Sequence, residues 1–469
     1  MTLAKSEPGE IGKERDAGGG PRPAFGRARL LLRALLRLAS PRRIAATARF
    51  LAALARVVRA RRAEPRLTVA VDVNSLYESL TGVGWYVHQL LSHLAERDDL
   101  RLRLYGQGLV EAPGAPRPAV ALPAGPALER VLYAAPDGMV VPPWRANQLL
   151  RRAAPLLLAA DGNRILFAPN YLPPPLFRFA GGALVATIHD LCVRHFPWAV
   201  RPDAARALAA GLDRTLLEAD LLLTSSAAVR DELIAAGVAA ARTRAIHLGP
   251  VQAAPPGELP ARTPARFGLF VGTLEPRKNI GTLLAAWELL RRDSPDAPPL
   301  VVCGAHGWRA PELRRSLAEA ERRGTVLYLG YVTPAELAAL YRAALVVALP
   351  SLYEGFGLPV VEALAAGAPL LLSDIPAFRE VAGDAARYAA AERPEQWAEL
   401  LAALFADQDL RRELARRGRE RAAAFDWRHT ADETAAAWRQ AATERGRAPL
   451  NPAATGTGRA RSDPAAVSS

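Results

Sequence analysis

Residues 351–374 read SLYEGFGLPVVEALAAGAPLLLSD, and they contain the strongest indication of the fold. An apolar run ends just before them, Gly355 and Gly357 form a loop, and a proline then stands where it can open a helix. Glycine lets the backbone approach a ligand closely, and the free NH groups of a helix's first turn bind anions. Glu354 and Glu362 flank this anion site, and their carboxylates would repel a phosphate unless they faced hydroxyl groups. The stretch therefore predicts a site for a sugar nucleotide after a buried strand; the alternative is that Glu354 is a solvated loop residue and Glu362 a first-turn acid favoured by the helix dipole.

A second strand-to-helix junction lies in residues 271–287, VGTLEPRKNIGTLLAAW. Arg277 and Lys278 place two cations there, which suits the neutralisation of a diphosphate leaving group. Lys278 is one of three lysines, and the other two are Lys5 and Lys13, so a sequence that otherwise uses arginine has a compact ammonium here. Because an ion at an exposed helix start contributes little stability, we expect Lys278→Ala to weaken turnover more than folding.

Two features of the first half of the chain are less specific. Gly82 and Gly84, in TGVGWYVHQLL (81–91), could lie against a phosphate or acceptor, but the dinucleotide fingerprint is absent and a plain helix start is the alternative. His189 and Asp190 end the run ALVATIHD, where a parallel strand would deliver them into a cleft. The alternative for this pair is a structural hydrogen bond, and the lack of a GxSxG motif disfavours a serine hydrolase.

Continuous apolar runs alternate with helical patterns along most of the chain, as in parallel sheets covered by helices. The runs are 67–73, 164–169, 183–190, 220–226, 267–272, 299–304, 325–330, 345–351 and 368–374. Helices are predicted at 83–95, 203–218, 227–236, 280–292, 311–323, 334–343, 359–366 and 409–424. A Pro-rich stretch at 252–264 divides the two groups of runs. The pattern predicts an α/β protein of two doubly wound parallel-sheet domains facing a cleft, with ligands at the carboxyl ends of the strands.

The net charge of +13 is concentrated at the N-terminus, because residues 1–66 carry +11 and the rest carries +2. The near-neutral body disfavours nucleic-acid binding. Residues 27–62 fit a basic amphipathic helical hairpin on an anionic membrane surface, and the alternative is a helical extension packed on protein. Charges interrupt its apolar runs before they reach transmembrane length. Cys192 and Cys303 are too few for a disulfide framework or a cysteine-rich metal site.

Taken together, the motifs resemble those of the retaining glycosyltransferases of family 4, which have the GT-B fold of two Rossmann-like domains. The resemblance covers residues 67–442. It rests on EGFGLPVVE, GTLEPRKN, TGVGWYVHQLL, TIHDLCVRHFP and TSSAAVRDEL, and on FDWRHTADETAAAWRQ (425–440), which is similar to the family's final helix that crosses back to the first domain.

The resemblance implies a role for each matching residue. Donor binding is expected of Gly84, Arg277, Lys278, Tyr331, Val332, Glu354, Gly355, Phe356, Gly357, Leu358 and Glu362. Gly82, His189 and Asp190 are expected on the acceptor side, and His189, Arg277, Lys278 and Glu354 in catalysis. The cations would contact the diphosphate, Glu362 the ribose, and Glu354 with the backbone of 355–358 the transferred sugar. The family needs no metal and no cofactor besides the nucleotide sugar.

The resulting division of the chain follows these motifs. It consists of a disordered lead (1–25), a basic helical extension (26–66), an acceptor domain (67–250), a linker (251–265), a donor domain (266–425), a returning helix (426–442) and a disordered tail (443–469).

The expected activity is retaining transfer of a hexose to a hydroxyl of a saccharide or lipid-linked saccharide, in polysaccharide or glycolipid biosynthesis. GTLEPRKN is common in the mannosyltransferase branch, so GDP-mannose is the favoured donor, with UDP, dTDP and ADP sugars open. We expect the protein in the cytoplasm, peripheral on the membrane face. The alternatives are a sugar-nucleotide epimerase or phosphorylase on the same fold, and a non-enzymatic basic membrane adaptor.

Overall fold

The computed structural model of the chain contains parallel β-sheets covered by helices. It describes residues 64–77, 82–106, 110–111, 118–131, 133–134, 158–171, 182–199, 202–251, 257–305, 307 and 311–447. The predicted basic segment 27–62, the lead before it and most of the tail lie outside the described residues, as do residues 252–256 of the predicted linker.

The first sheet, counted over the described residues, has seven parallel strands in the order β4-β2-β1-β6-β7-β8-β9. Its strands are β1 Leu67–Asp72, β2 Leu100–Tyr105, β4 Leu128–Arg130, β6 Ile165–Ala168, β7 Ala183–Ile188, β8 Leu221–Thr224 and β9 Thr243–Ala245. The short strands β3 Val110–Glu111 and β5 Tyr133–Ala134 pair separately. Where this half is described, its α-helices are α1 Gly82–Leu94, α2 Cys192–His195, α3 Pro202–Glu218 and α4 Ala227–Ala235.

The second sheet has six parallel strands within the described part, in the order β12-β11-β10-β13-β14-β15. They are β10 Gly268–Val271, β11 Leu300–Cys303, β12 Val326–Gly330, β13 Val346–Leu349, β14 Leu370–Ser373 and β15 Ala386–Ala389. The helices are α5 Ile280–Asp293, α6 Pro311–Arg322, α7 Pro334–Ala343, α8 Leu358–Ala366, α9 Pro376–Ala382, α10 Pro394–Ala406, α11 Gln408–Ala422 and α12 Trp427–Arg447.

The predicted fold class is confirmed: the apolar runs are central strands whose side chains are buried on both faces, as in β6, β7, β8, β11, β13 and β14. Strand β2 was not predicted, because its sequence LRLRLY alternates arginine with leucine. The side chain of Arg103 is nevertheless buried, since its guanidinium donates to the backbone oxygen of Asp161 at 2.6 Å. A tertiary hydrogen bond thus places a cation inside the sheet layer.

The last helix, α12, returns from the second domain and packs on α1, β6 and β7 of the first. Trp427 Nε1 donates to the oxygen of Pro250 at 2.7 Å, and Thr430 Oγ1 donates to the oxygen of His247 at 2.7 Å. Further along, the Trp438 ring lies 5.0 Å from that of Phe167 on β6. Helix α12 therefore packs in the first domain, although it follows α11 of the second domain in the chain. None of the helices in the described ranges is long and apolar enough to span a membrane.

We predict that Trp438→Ala lowers the free energy of unfolding by about 3–5 kcal/mol, because it removes a fully buried indole and leaves a cavity. Trp198, whose side chain is 46% exposed, supplies the matched control, and Trp198→Ala should cost less than about 1 kcal/mol. Urea unfolding followed by circular dichroism measures both. Equal losses for the two variants would contradict the packing described here.

Candidate active site

Two loops meet at the carboxyl edge of the second sheet, because they follow the neighbouring strands β10 and β13. The first contains a 3₁₀ turn, Pro276–Lys278, that ends at Asn279 with φ 53°. Asn279 Nδ2 donates to the oxygens of Pro350 and Ala391, at 3.0 and 2.7 Å. The amide of Leu352 donates to the oxygen of Arg277 at 2.9 Å. The bonds at Pro350 and Leu352 fix the two loops to one another, and the bond to Ala391 ties the first loop to the segment after β15.

The charged groups of both loops converge on Glu354. Its Oε1 lies 2.6 Å from Lys278 Nζ, and its Oε2 lies 2.8 Å from Arg277 Nη1. Ser351 Oγ donates to the same Oε1 at 2.8 Å, and Arg277 Nη2 reaches Glu275 Oε1 at 2.7 Å. The side chains of Glu354 and Lys278 are only 9% and 14% exposed. We call Arg277, Lys278 and Glu354 the ion cluster.

Glu354 and Arg277 keep their charges at neutral pH. Burial by itself raises the pKa of Glu354, but the nearby charges of Lys278 and Arg277 and their hydrogen bonds lower it to about 2. Burial opposes the charge of Arg277, yet Glu354 and Glu275 hold the Arg277 pKa above its ordinary value. The expectation that Lys278 sits at an exposed helix start was wrong, because the loop after β13 places Glu354 against it. Removal of the Lys278 side chain would leave the buried Glu354 carboxylate with Arg277 as its cationic partner.

Gly355 brings the second domain against the first. A Cβ added at Gly355 would lie 1.8 Å from the backbone oxygen of His189, so a larger residue cannot occupy this position without moving the domains. Gly357, which begins α8, has φ 104°, a conformation that favours glycine. Both glycines of the predicted loop therefore have structural reasons to be glycine.

His189 follows β7 of the first domain, and its backbone faces Gly355 of the second. Its Nε2 is 2.8 Å from the oxygen of Pro169, and because a carbonyl only accepts, Nε2 carries the proton. Burial lowers the pKa of His189 despite this bond and the neighbouring Asp190, so the ring is neutral with Nδ1 as an acceptor. The ring of Tyr86 packs edge-on at 4.9 Å. Asp190 Oδ1 accepts from the amide of Cys192 at 2.9 Å, which fixes it at the start of α2.

Glu362 lies on α8 with a different partner. The hydroxyl of Tyr341 on α7 donates to Glu362 Oε2 at 2.9 Å. Burial raises the pKa of Glu362 to about 7, and the Tyr341 bond only partly offsets this. Tyr341 was not predicted as a site residue, because it lies on a different helix from Glu362. Two carboxylates eight positions apart thus have opposite pKa shifts.

The remaining predicted residues divide between the cleft and its surroundings. Gly82 and Gly84 lie in the first turn of α1, and Leu358 Cδ1 is 4.0 Å from a Cβ built at Gly82, so α1 and α8 begin facing each other. The ring of Phe356 is buried against His247 at 5.9 Å, which leaves only its backbone for a ligand. Tyr331 and Val332 follow β12, two strands from β10, and the Tyr331 side chain is 72% exposed. Within the described residues, no group of three or more His, Cys, Asp or Glu is arranged to hold a metal ion.

Family models match both halves of the chain. Residues 80–249 match the model described as Glycosyltransferase Family 4, and residues 256–421 match Glycosyl transferases group 1. The O-antigen chain mannosyltransferase B of Escherichia coli is 32% identical over 286 residues, which cover 59% of this chain and 74% of that protein. The D-inositol 3-phosphate glycosyltransferase of Nocardia farcinica is 38% identical over 173 residues, 35% of this chain and 38% of that protein. The chain belongs to glycosyltransferase family 4, and it is a glycosyltransferase.

Solved structures share the fold. Sucrose-phosphate synthase from Thermosynechococcus elongatus superimposes with a TM-score of 0.62 at 24% identity, covering 80% of this chain and 99% of that one. Anabaena HepE in complex with UDP and glucose gives a TM-score of 0.58 at 15% identity, with the same coverage of 80% and 99%. The two-domain arrangement is therefore the GT-B fold that the sequence predicted.

We predict that Lys278→Ala lowers the free energy of unfolding by about 1–3 kcal/mol, because Glu354 loses a charged partner in a buried position. The sequence predicts that Lys278 stabilises a leaving group, so we also expect turnover to fall about 100-fold or more. In a double-mutant cycle, the double variant Lys278→Ala/Glu354→Gln should recover part of the lost stability, because the buried charge is removed as well, and it should recover none of the turnover. Additive stability losses in the cycle would show that the two residues do not interact.

The raised pKa of Glu362 predicts that the free energy of unfolding depends on pH. Its folded pKa of about 7 exceeds the ordinary value of 4.5, so the folded state binds more protons, and stability is lost as pH rises through that interval. Glu362→Gln should remove this loss, so wild type should lose about 2–3 kcal/mol relative to the variant between pH 4.5 and 7.5. Urea unfolding at both pH values measures the difference. Glu399→Gln, at an exposed position of α10, is the control and should parallel wild type.

Proposed function

We propose that this chain is a retaining hexosyltransferase that moves mannose from GDP-mannose to a hydroxyl of a saccharide or lipid-linked saccharide acceptor. The observation that carries the proposal is the ion cluster at the edge of the donor-side sheet, with Gly355 pressed against His189 of the other domain. The similarity to an O-antigen chain mannosyltransferase supports mannose as the sugar.

The donor binds along the carboxyl edge of the second sheet. Among the described residues, Lys278 Nζ donates one hydrogen bond, to Glu354, which leaves two N–H groups for a diphosphate, and Arg277 lies beside it. Glu362 accepts hydrogen bonds from the ribose hydroxyls. Because such bonds favour the charged carboxylate, donor binding near pH 7 should lower the pKa of Glu362 and release a proton. Tyr331 and Val332 border the base.

The chemical step depends on charge stabilisation. As the bond from sugar to diphosphate breaks, negative charge develops on the leaving phosphate, and Lys278 and Arg277 are already positioned to stabilise it. Glu354, ionised and fixed, with the backbone of 355–358, holds the sugar. His189 offers a neutral acceptor, Nδ1, beside the sugar and the acceptor, with Gly82 and Asp190 on the same side. The acceptor hydroxyl then attacks from the face that the diphosphate leaves and gives its proton to an oxygen of the departing diphosphate, so the new bond replaces the broken one and the configuration is retained.

Two further elements belong to the proposal. The cations of the ion cluster serve in place of a metal ion, and no cofactor besides the nucleotide sugar is required. The basic segment 27–62 holds the protein at the cytoplasmic membrane face, where anchoring raises the local concentration of a lipid-linked acceptor.

We expect GDP to stabilise the full chain against heat more than UDP, dTDP or ADP do, with no change when EDTA is added. At 100 times the dissociation constant, binding adds roughly 2.7 kcal/mol. The shift should vanish in Glu362→Ala and persist in Glu399→Ala. A larger shift with another nucleotide would overturn GDP-mannose as donor, and a shift that EDTA abolishes would overturn metal independence.

The reaction itself is tested by incubating the chain with the preferred nucleotide sugar and lipid-linked acceptors. We expect mass spectrometry to detect an acceptor longer by one hexose, in the α configuration by NMR if an α-linked donor is supplied. An epimerised donor, or cleavage that depends on phosphate, would contradict transfer.

A further inference from the structure

Helix α4 of the first domain begins against the second domain. Ser226 caps it, since Ser226 Oγ accepts from the amide of Val229 at 3.1 Å. The same hydroxyl donates to the backbone oxygen of Gly355 at 2.6 Å. The cap of α4 is therefore also a hydrogen bond to the loop that carries Glu354.

Glu380, on α9 of the second domain, reaches across to the same helix end. Its Oε1 lies 2.7 Å from the amide nitrogen of Ala227, and its Oε2 lies 2.8 Å from that of Ala228. Two of the NH groups that a helix leaves unpaired at its start are thus satisfied by a carboxylate from another domain. A negative charge is favoured at that end of a helix.

A third bond joins Glu380 to the first domain. His247 Nε2 lies 2.6 Å from Glu380 Oε1, and the Glu380 side chain is only 17% exposed. Burial alone raises the pKa of Glu380, but the bonds from His247, Ala227 and Ala228 lower it overall. Within the described residues, every hydrogen bond recorded for this carboxylate goes to the first domain.

The backbone of Glu380 is held by its own domain. Arg421 on α11 donates from Nη2 to the oxygen of Glu380 at 2.6 Å and from Nε to the oxygen of Val381 at 2.9 Å. The carboxylate is therefore a fixed point of the second domain, and α4 is bonded to that point.

We propose that Glu380 is a positioning residue, which caps α4 of the opposite domain and so sets the distance between the two halves of the active site. With α4 held, Ser226 stays bonded to Gly355, and Gly355 stays against His189. The sugar-binding loop then faces the acceptor side in one geometry. The kinetic part of this inference rests on the proposed transfer reaction, whereas the geometric part does not.

Glu380→Gln tests the inference on the full chain, because the amide keeps the size of the side chain, loses its charge and presents NH₂ where one acceptor stood. The control is Asp374→Asn. Asp374 pairs with Arg379 near the start of α9, both are 51% exposed, and the pair stays within the second domain.

Small-angle X-ray scattering should give a larger radius of gyration for Glu380→Gln than for wild type, and no change for Asp374→Asn. The melting temperature of Glu380→Gln should shift by less than about 2 °C, since neither domain core is altered. With saturating substrates kcat should fall about 100-fold, as expected for a misplaced reacting group, while the dissociation constant for GDP changes less than about twofold.

Scattering identical to wild type, or unchanged kcat, would overturn the inference. A loss of kcat matched by an equal loss of GDP affinity or by a large drop in melting temperature would also overturn it, because that is the signature of a merely structural residue. If wild type transfers no sugar at all, the proposed function fails, and the scattering comparison still decides the role of Glu380.

Discussion

The buried carboxylate of Glu354, paired with Lys278 and Arg277, is the interaction on which the active site depends. A buried charge is tolerated only with partners of good geometry, so the pairing fixes the loops after β10 and β13 relative to each other. The 3₁₀ turn before α5 and the start of α8 take their positions from these loops. Two cations are thereby held at the sheet edge. Because both side chains are largely buried, water screens their charges only in part.

The same loop connects the two domains. The residue after Glu354 is Gly355, whose backbone lies against His189 and accepts a hydrogen bond from Ser226. The two domains therefore meet within one residue of the ion cluster. Helix α12 and the aromatic contact of Phe356 with His247 add apolar packing between the domains. Ion pairs position the loop, and packing holds the two domains against it.

Much of the fold could be predicted from the sequence, because buried parallel strands have a local signature. The runs FGLFVG and LVVALPS contain β10 and β13, and the glycines and proline of EGFGLP mark the start of α8. The conspicuous Lys278 was recognisable because the chain has so few lysines. Strand β2 had no such signature, because its arginines are accommodated by hydrogen bonds to residues about 60 positions away.

The features of the site that could not be predicted from the sequence depend on contacts between residues far apart in the chain. Nothing local indicates that Lys278 is buried by Glu354, that Tyr341 donates a hydrogen bond to Glu362, or that Glu380 bonds a helix amide 152 positions earlier. Each of these depends on how two elements pack. The roles of the site residues therefore combine a local motif with a tertiary environment, and the opposite pKa shifts of Glu354 and Glu362 come from the environment alone.

A crystal structure of the chain with bound GDP would examine the site itself. We expect diphosphate oxygens within about 3 Å of Lys278 Nζ and of the Arg277 guanidinium, and ribose hydroxyls on the carboxylate of Glu362. A nucleotide whose diphosphate contacts neither cation, or whose ribose lies away from Glu362, would contradict this assignment of the donor site.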